Sequence, residues 1–182
     1  MVYSVLRRPD NGDAKLKYLV VAQDRVQALH KYLEDHEEVA SLAGKYLAGL
    51  QYAHLFAPLH PSEPATALPI IAASHVTPDS GTGLVHCAPA HGAEDYAAFR
   101  SAGLLASGMV CHVDGVGAFS ADVADIVGTK AAENLIGKPV LGEGSKAVVD
   151  ILKTMQGVLV GVERIKHRYP YDWKTGEPVI VT

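Results

Sequence analysis

Ser80-Gly81-Thr82-Gly83-Leu84-Val85-His86-Cys87-Ala88-Pro89-Ala90-His91-Gly92-Ala93-Glu94-Asp95-Tyr96 is the stretch on which the fold turns. It reads as strand, tight loop and helix start. Leu84 and Val85 are the apolar run of a short buried strand. Pro89 and Gly92 interrupt any regular element, because proline removes a backbone donor and glycine admits positive φ. Ala93 to Arg100 has the composition of a helix, with Gly103 as its C′ residue. This order brings His86 at the strand end towards Glu94 and Asp95 in the first helical turn. An imidazole, carboxylates and small residues meeting at one spot are the usual makings of a site for a small polar ligand.

The residues alone leave several readings open. A carboxylate in a first helical turn complements the helix dipole, a contribution of about 0.3–1 kcal/mol, and a strand-end histidine is often only hydrogen-bonded. Phosphate binding by Gly81, Thr82 and Gly83 is disfavoured, since the segment lacks the Gly-Lys-Ser/Thr ending of a P-loop and precedes a strand. A metal centre could draw on His86, Cys87, His91, Cys111 and His112. Their spacing matches no zinc pattern, and there is neither Cys-x-x-Cys nor His-Glu-x-x-His.

The bounds are plain. With 182 residues, 48% hydrophobic content and a net charge of −4, the chain suits one globular domain and is a poor overall electrostatic footprint for a nucleic-acid binder. Two cysteines make no disulfide framework, which favours a reducing compartment. No apolar run reaches membrane-spanning length, and Tyr3 to Asp13 lacks a signal-peptide pattern.

Outward from the central stretch, Met1 to Arg8 is weakly strand-like and Pro9-Asp10-Asn11-Gly12 is a turn. Lys15 to Ala22 is a strand in hairpin with the first. Asp24 is the expected N-cap of an amphipathic helix over Arg25 to Glu37. Val39 to Leu50 is ambiguous. Gln51 to Pro64 is mostly loop, and His54 and His60 have no assigned role there. Leu68 to Val76 and Met109 to Val113 read as strands, the latter followed by a turn through Gly117. Thr129 to Ile136 has one or two helical turns. Ser145 caps a helix through Met155 with Val148, Val149 and Leu152 on one face. Val158 to Arg168 is a long strand, and Lys174-Thr175-Gly176-Glu177 turns into Val179 to Val181. Many short strands and a few helices, out of βαβ order, predict an α+β domain with a curled or barrel-like sheet.

Gly81 to Tyr96 closely resembles the signature of the editing domain inserted in isoleucyl-tRNA synthetases. The valyl and leucyl enzymes are similar at the glycines and the aspartate but differ at His86. A second segment, His167-Arg168-Tyr169-Pro170-Tyr171-Asp172-Trp173-Lys174-Thr175-Gly176-Glu177-Pro178-Val179-Ile180, resembles the place where that insertion rejoins the synthetase body. Weaker echoes are Gly49-Leu50-Gln51-Tyr52 and His75-Val76-Thr77-Pro78-Asp79-Ser80. The resemblance covers most of the chain and implies a β-barrel-like core of short strands with peripheral helices, residues 1–182 forming one editing domain of a longer synthetase.

The activity this resemblance implies is hydrolysis of valyl-tRNA(Ile), and of valyl-adenylate, as the second sieve that a one-methylene difference demands. The alternative is an acceptor-end or aminoacyl-adenosine binding module without hydrolysis. By analogy Asp95 holds the α-ammonium of the misattached amino acid and His86 walls the side-chain pocket. Gly81, Thr82 and Gly83 approach the terminal adenosine, and His91 and Tyr96 line the site. Arg164, Lys166 and Arg168, with His167 and Lys174, are the expected RNA contacts. No metal or cofactor is implied for the domain, ATP and Mg belonging to the synthetic module, whose signatures are missing from this sequence. So is the family's Trp-Thr-Thr-Thr-Pro-Trp-Thr segment, so the resemblance also implies that part of the active site lies outside this chain. The implied partners are tRNA(Ile) charged with valine and the rest of the synthetase, with no membrane and a monomeric domain. Ala-Pro-Ala-His-Gly and Tyr-Pro-Tyr-Asp-Trp-Lys-Thr resemble bacterial and mitochondrial forms, which points to the mitochondrial matrix first and a bacterial cytoplasm second.

Overall fold

A computed structural model describes residues 1–9, 17–33, 35–59, 67–155, 157–162 and 168–181. It is a mixed α+β structure with two small antiparallel sheets and two separate apolar clusters.

The first sheet has order β2-β1-β3, with β1 at Val2–Arg7, β2 at Tyr18–Ala22 and β3 at Glu37–Ala43. The expected hairpin is present, with Ser4 opposite Val21 and Leu6 opposite Leu19. The third strand was not legible as one. It pairs with β1 through a bulge between Val5 and Leu6, and an Arg7–Glu37 ion pair closes one end. Strand period two puts Ser4, Leu6, Leu19 and Val21 on one face. Leu6, Val21 and Leu33 form a core there, packed by Leu19, Val26 and Leu29. Tyr3 and Ala22, opposite one another, are buried on the other face.

The helix expected over Arg25 to Glu37 is shorter and broken. A 3₁₀ turn at Gln23–Arg25 runs into α1 at Val26–Leu29 and a further 3₁₀ turn at His30–Tyr32. Asp24 lies inside the first of these turns and makes no cap bond. Val26, Leu29 and Leu33 carry the apolar contacts of this segment with the sheet.

The second sheet is the pair β4 at Gln51–Ala53 and β5 at Ala67–Pro69. The strand expected over Leu68 to Val76 therefore ends early: its last backbone bonds to the partner side are those of Ile70 with Leu50 and Gly49. Leu84 and Val85 form no strand and are 38% and 62% exposed. Met109 to Val113 contributes only the bridge Val113–Phe119. Val158 to Val162 and Arg168 carry no strand. The turn at Asp10-Asn11-Gly12, His60 and residues 163–167 of the expected C-terminal strand lie outside the described residues.

The second apolar cluster is helical. After α2 at Ala93–Ser101, it joins α3 at Ala124–Val127, α4 at Thr129–Ala132 and α5 at Ser145–Thr154. Val123, Val127, Ala132, Leu135, Ala147 and Ile151 are its buried members. The inward face of α5 thus centres on Ala147 and Ile151, with Val148 packed beside them. Ser145 bonds back to the Val140 carbonyl and is not the N-cap. Among the described residues neither sheet closes, so the expected barrel is not formed by them. The turn at Asp114 is as expected: its Oδ1 accepts from the N–H groups of Val116 and Ala118.

Candidate functional site

The Gly81–Gly83 segment is fastened to the first sheet through its carbonyls. Arg25 donates to the Gly81 and Asp79 carbonyls at 3.0 and 3.2 Å. The Ala22 N–H donates to Thr82 O at 2.7 Å, and the Tyr3 hydroxyl to Gly83 O at 2.8 Å. Gly83 has φ +76°, and a Cβ there would sit 2.4 Å from the Ala22 Cβ. Both facts demand glycine at this position. The segment thus docks on the sheet by backbone, which leaves Leu84 and Val85 outside any ladder.

The chain then crosses to a turn in which the His91 N–H donates to Ala88 O at 2.9 Å. Gly92, extended at φ −135°, caps α2, the helix Ala93–Ser101. Gly103 follows with φ +73°, as expected for C′. Asp95 is the third residue of α2 and reaches backwards. Its Oδ2 accepts from the Ala88 N–H at 2.9 Å, and its Oδ1 accepts from His75 Nε2 at 3.0 Å. Both side chains of the His75–Asp95 pair are 19% exposed. A carboxylate here therefore has one bond to backbone, one to imidazole, and an edge still open to solvent.

His86 immediately precedes Cys87, whose thiol touches the Asp95 backbone. Its Nδ1 is 3.3 Å from the Tyr52 hydroxyl on β4, and its ring meets that of His54 edge-on at 5.9 Å. Cys87 donates weakly to the Asp95 carbonyl at 3.6 Å. Burial first, and the Asp95 charge second, push the Cys87 thiol up from its ordinary range. Burial also raises Tyr52, with a smaller contribution from Cys87. These groups form one polar cluster: Tyr52, His54, His75, His86, Cys87 and Asp95.

The residues singled out from sequence thus part company. Asp95 and His86 share the cluster. Gly81, Thr82 and Gly83 bond instead to Arg25, Ala22 and Tyr3, a few residues before His86 in the chain. Tyr96 is 38% exposed on α2. His91 turns to a different neighbourhood, its Nδ1 2.8 Å from Val181 O and its Nε2 4.0 Å from Cys111 Sγ. Arg164 and Lys166 lie outside the described residues, and Arg168 is exposed. Among the described residues no three His, Cys, Asp or Glu side chains converge as a metal-binding group. Sequence reading missed His75 and Tyr52 as site members. Both stand in the two weaker echoes, which is the signal that could have found them.

No family model matches the chain. It is similar to several isoleucine–tRNA ligases. It is 39% identical over 165 residues to that of the cyanobacterium Acaryochloris marina, covering 90% of this chain and 15% of the relative. It is 36% identical over 180 residues to the mitochondrial enzyme of Macaca fascicularis, covering 98% of this chain and 16% of the relative. The mitochondrial enzyme of Gallus gallus is 37% identical over the same length. Bacterial and mitochondrial enzymes thus match alike, and neither localisation is favoured. By sequence, nearly the whole chain is homologous to about a sixth of the length of isoleucine–tRNA ligases, bacterial and mitochondrial.

Proposed function

We propose that this chain is the editing unit of an isoleucine–tRNA ligase and hydrolyses valyl-tRNA(Ile), with valyl-adenylate as the related substrate. The observation that carries the reading is the anchoring of Asp95. A carboxylate pinned by Ala88 and His75, with one edge open, has the chemistry to receive an α-ammonium group. At about 4 Å and an effective dielectric near 20 that contact contributes on the order of 4 kcal/mol before desolvation is charged against it. Holding the amine fixes the ester carbonyl against a water, so the gain is mainly orientation.

In this reading His86, braced by Tyr52 and His54, walls the side-chain pocket and excludes the extra methylene of isoleucine. Gly81, Thr82 and Gly83 border the terminal adenosine, with Tyr96 and His91 at the edge. Arg164, Lys166 and Arg168 take phosphates of tRNA(Ile), the remainder of which is held by the rest of the synthetase. The domain itself needs no cofactor, ATP and Mg serving the synthetic module. The sheet β2-β1-β3 is one wall of the editing-domain barrel, and a Thr-rich segment of the longer enzyme lends hydroxyls at the ester. The matrix of a mitochondrion is the proposed setting, a bacterial cytoplasm the alternative.

The test is calorimetric titration of this chain with non-hydrolysable valyl-adenosine and isoleucyl-adenosine analogues. Preference for the valyl analogue is expected, by about the 1–3 kcal/mol that one methylene commands. Equal affinity for both analogues defeats the sieve. Valyl preference here, without valyl-tRNA hydrolysis by the full-length synthetase, would leave a binding module.

A further inference from the structure

His91 and Cys111 stand apart from the Asp95 cluster, and no bond-breaking step of the hydrolysis proposed above runs through them. The carbonyl of Val181 can only accept, so the 2.8 Å contact makes His91 Nδ1 the protonated nitrogen. The other nitrogen, Nε2, then carries the lone pair, and it faces Cys111 Sγ at 4.0 Å. The thiol proton has two acceptors within reach, that lone pair and the Val113 carbonyl at 3.3 Å. A thiol, a base and a third group that fixes the base's tautomer are the parts of an activated nucleophile. His91 is exposed and Cys111 half-buried, so small reagents reach them.

The second cysteine provides the contrast. Cys87 is also half-buried, but its thiol gives its hydrogen to the Asp95 carbonyl and has a carboxylate beside it. Its thiol is bonded to a carbonyl and not to an imidazole, and the negative charge opposes a thiolate.

We infer that Cys111, with His91 as its base, is a modification site at which peroxide oxidises the thiol. The S–H proton passes to His91 Nε2. The thiolate attacks one peroxide oxygen, an S–O bond forms as the O–O bond breaks, and the leaving hydroxide takes the proton from Nε2 and departs as water. Sulfur is oxidised to the sulfenic acid and peroxide is reduced. The site is one turn from the catalytic candidate, because the His91 N–H bonds to Ala88 O and the Ala88 N–H holds Asp95. An added oxygen beside Nε2 therefore loads the same turn that positions Asp95.

The experiment is alkylation of this chain by iodoacetamide, with peptide mass spectrometry following each cysteine. A thiol of ordinary acidity is only a few per cent thiolate at neutral pH, so ionisation raises its rate by up to about thirtyfold. Cys111 is expected to react roughly tenfold or more faster than Cys87. His91→Asn keeps a donor for Val181 but has no base, and His91→Ala keeps neither. Both are expected to slow Cys111 to near the Cys87 rate. If Cys111 reacts no faster than Cys87, or if His91→Asn retains the native rate, the inference fails. The Cys87 rate monitors folding, since an unfolded variant would accelerate it. Dimedone trapping after hydrogen peroxide, done on the native chain, needs no variant. The adduct is expected at Cys111 and not at Cys87, and its absence from Cys111 overturns the proposal.

Discussion

Asp95→Asn separates the charge of the candidate anchor from its structural bonds. Asp95→Ala would not, because it deletes both contacts at once. Hydrogen bonds to a charged group contribute roughly 1.5–3 kcal/mol each, so alanine would remove about 3–6 kcal/mol from a domain whose total is only about 5–15 kcal/mol. Asparagine retains an oxygen for the Ala88 N–H. Its amide nitrogen then faces His75 Nε2, which accepts once the imidazole changes tautomer. The fold is therefore expected to survive with a loss near 1 kcal/mol, seen as a shift of roughly 2–4 °C in Tm for a chain of this size. The ligand term is different. The Coulomb gain of about 4 kcal/mol is reduced to about half by the solvent that reaches the site and by the lost hydration of the ammonium. About 2 kcal/mol corresponds to roughly thirtyfold weaker binding of a valyl-adenosine analogue. Calorimetry with that analogue and with its deaminated counterpart closes a double-mutant cycle. The deaminated compound should bind native and Asp95→Asn chains alike. A variant that binds the amino compound within about threefold of native would refute the ammonium role.

Other outcomes follow from the same contacts. His86→Ala should narrow the gap between valyl and isoleucyl analogues while sparing the Asp95-dependent part of binding; an unchanged ratio would remove His86 from the sieve. Gly83→Ala meets both a positive φ and the Ala22 Cβ at 2.4 Å. It should cost at least about 1–3 kcal/mol by denaturant titration and expose Tyr3 to solvent-perturbation spectroscopy. Ser4 is fully buried, and its Oγ has no hydrogen-bond partner among the described residues. Ser4→Ala should thus be neutral or stabilising by about 1 kcal/mol, and a clear destabilisation would reveal a partner for the hydroxyl. Burial holds the His112 imidazole below its ordinary value, against the pull of Asp122 and Asp125. The unfolded chain then binds the proton more readily, so stability is full above about 6.5 and declines as pH falls below it. His112→Phe should flatten that decline between pH 7 and 5, and an equal slope in both proteins would show that His112 is not its source.

Local chemistry was legible from sequence, and pairing over distance was not. The C′ role of Gly103, the Asp114 turn and the helix bearing Asp95 each rest on residues within a few positions of one another, and the hairpin joins two strands that neighbour each other in the chain. The strands expected at Leu84-Val85 and Met109-Val113 failed because an apolar run has no strand without a neighbour to pair with. Gly83 and Pro89 leave Leu84 and Val85 without one. β3 was missed for the converse reason: Glu37-Glu38 and a bulge at β1 hide its period, and only β1 supplies its partner. In the site, Asp95 was legible as a first-turn carboxylate beside small residues. His75, twenty positions earlier, became visible as its partner only once the backbone folded back.

The two apolar clusters have a consequence for how the molecule opens. Leu6, Val21 and Leu33 pack as one cluster, and Leu135, Ile151 and their neighbours as another, so each is expected to open as a unit. Amide protons protected by each should exchange with separate opening free energies. The Gly81–Gly83 carbonyls are tethered to the first unit, through Ala22, Tyr3 and Arg25. An excursion that melts only the sheet would therefore slacken the segment leading to His86 and Asp95 while the helical unit stays folded. A substitution on the sheet is therefore expected to loosen the Gly81–Gly83 end of the site without lowering the midpoint of the helical unit's unfolding, while His54 stays braced on Phe56 beside the helical cluster.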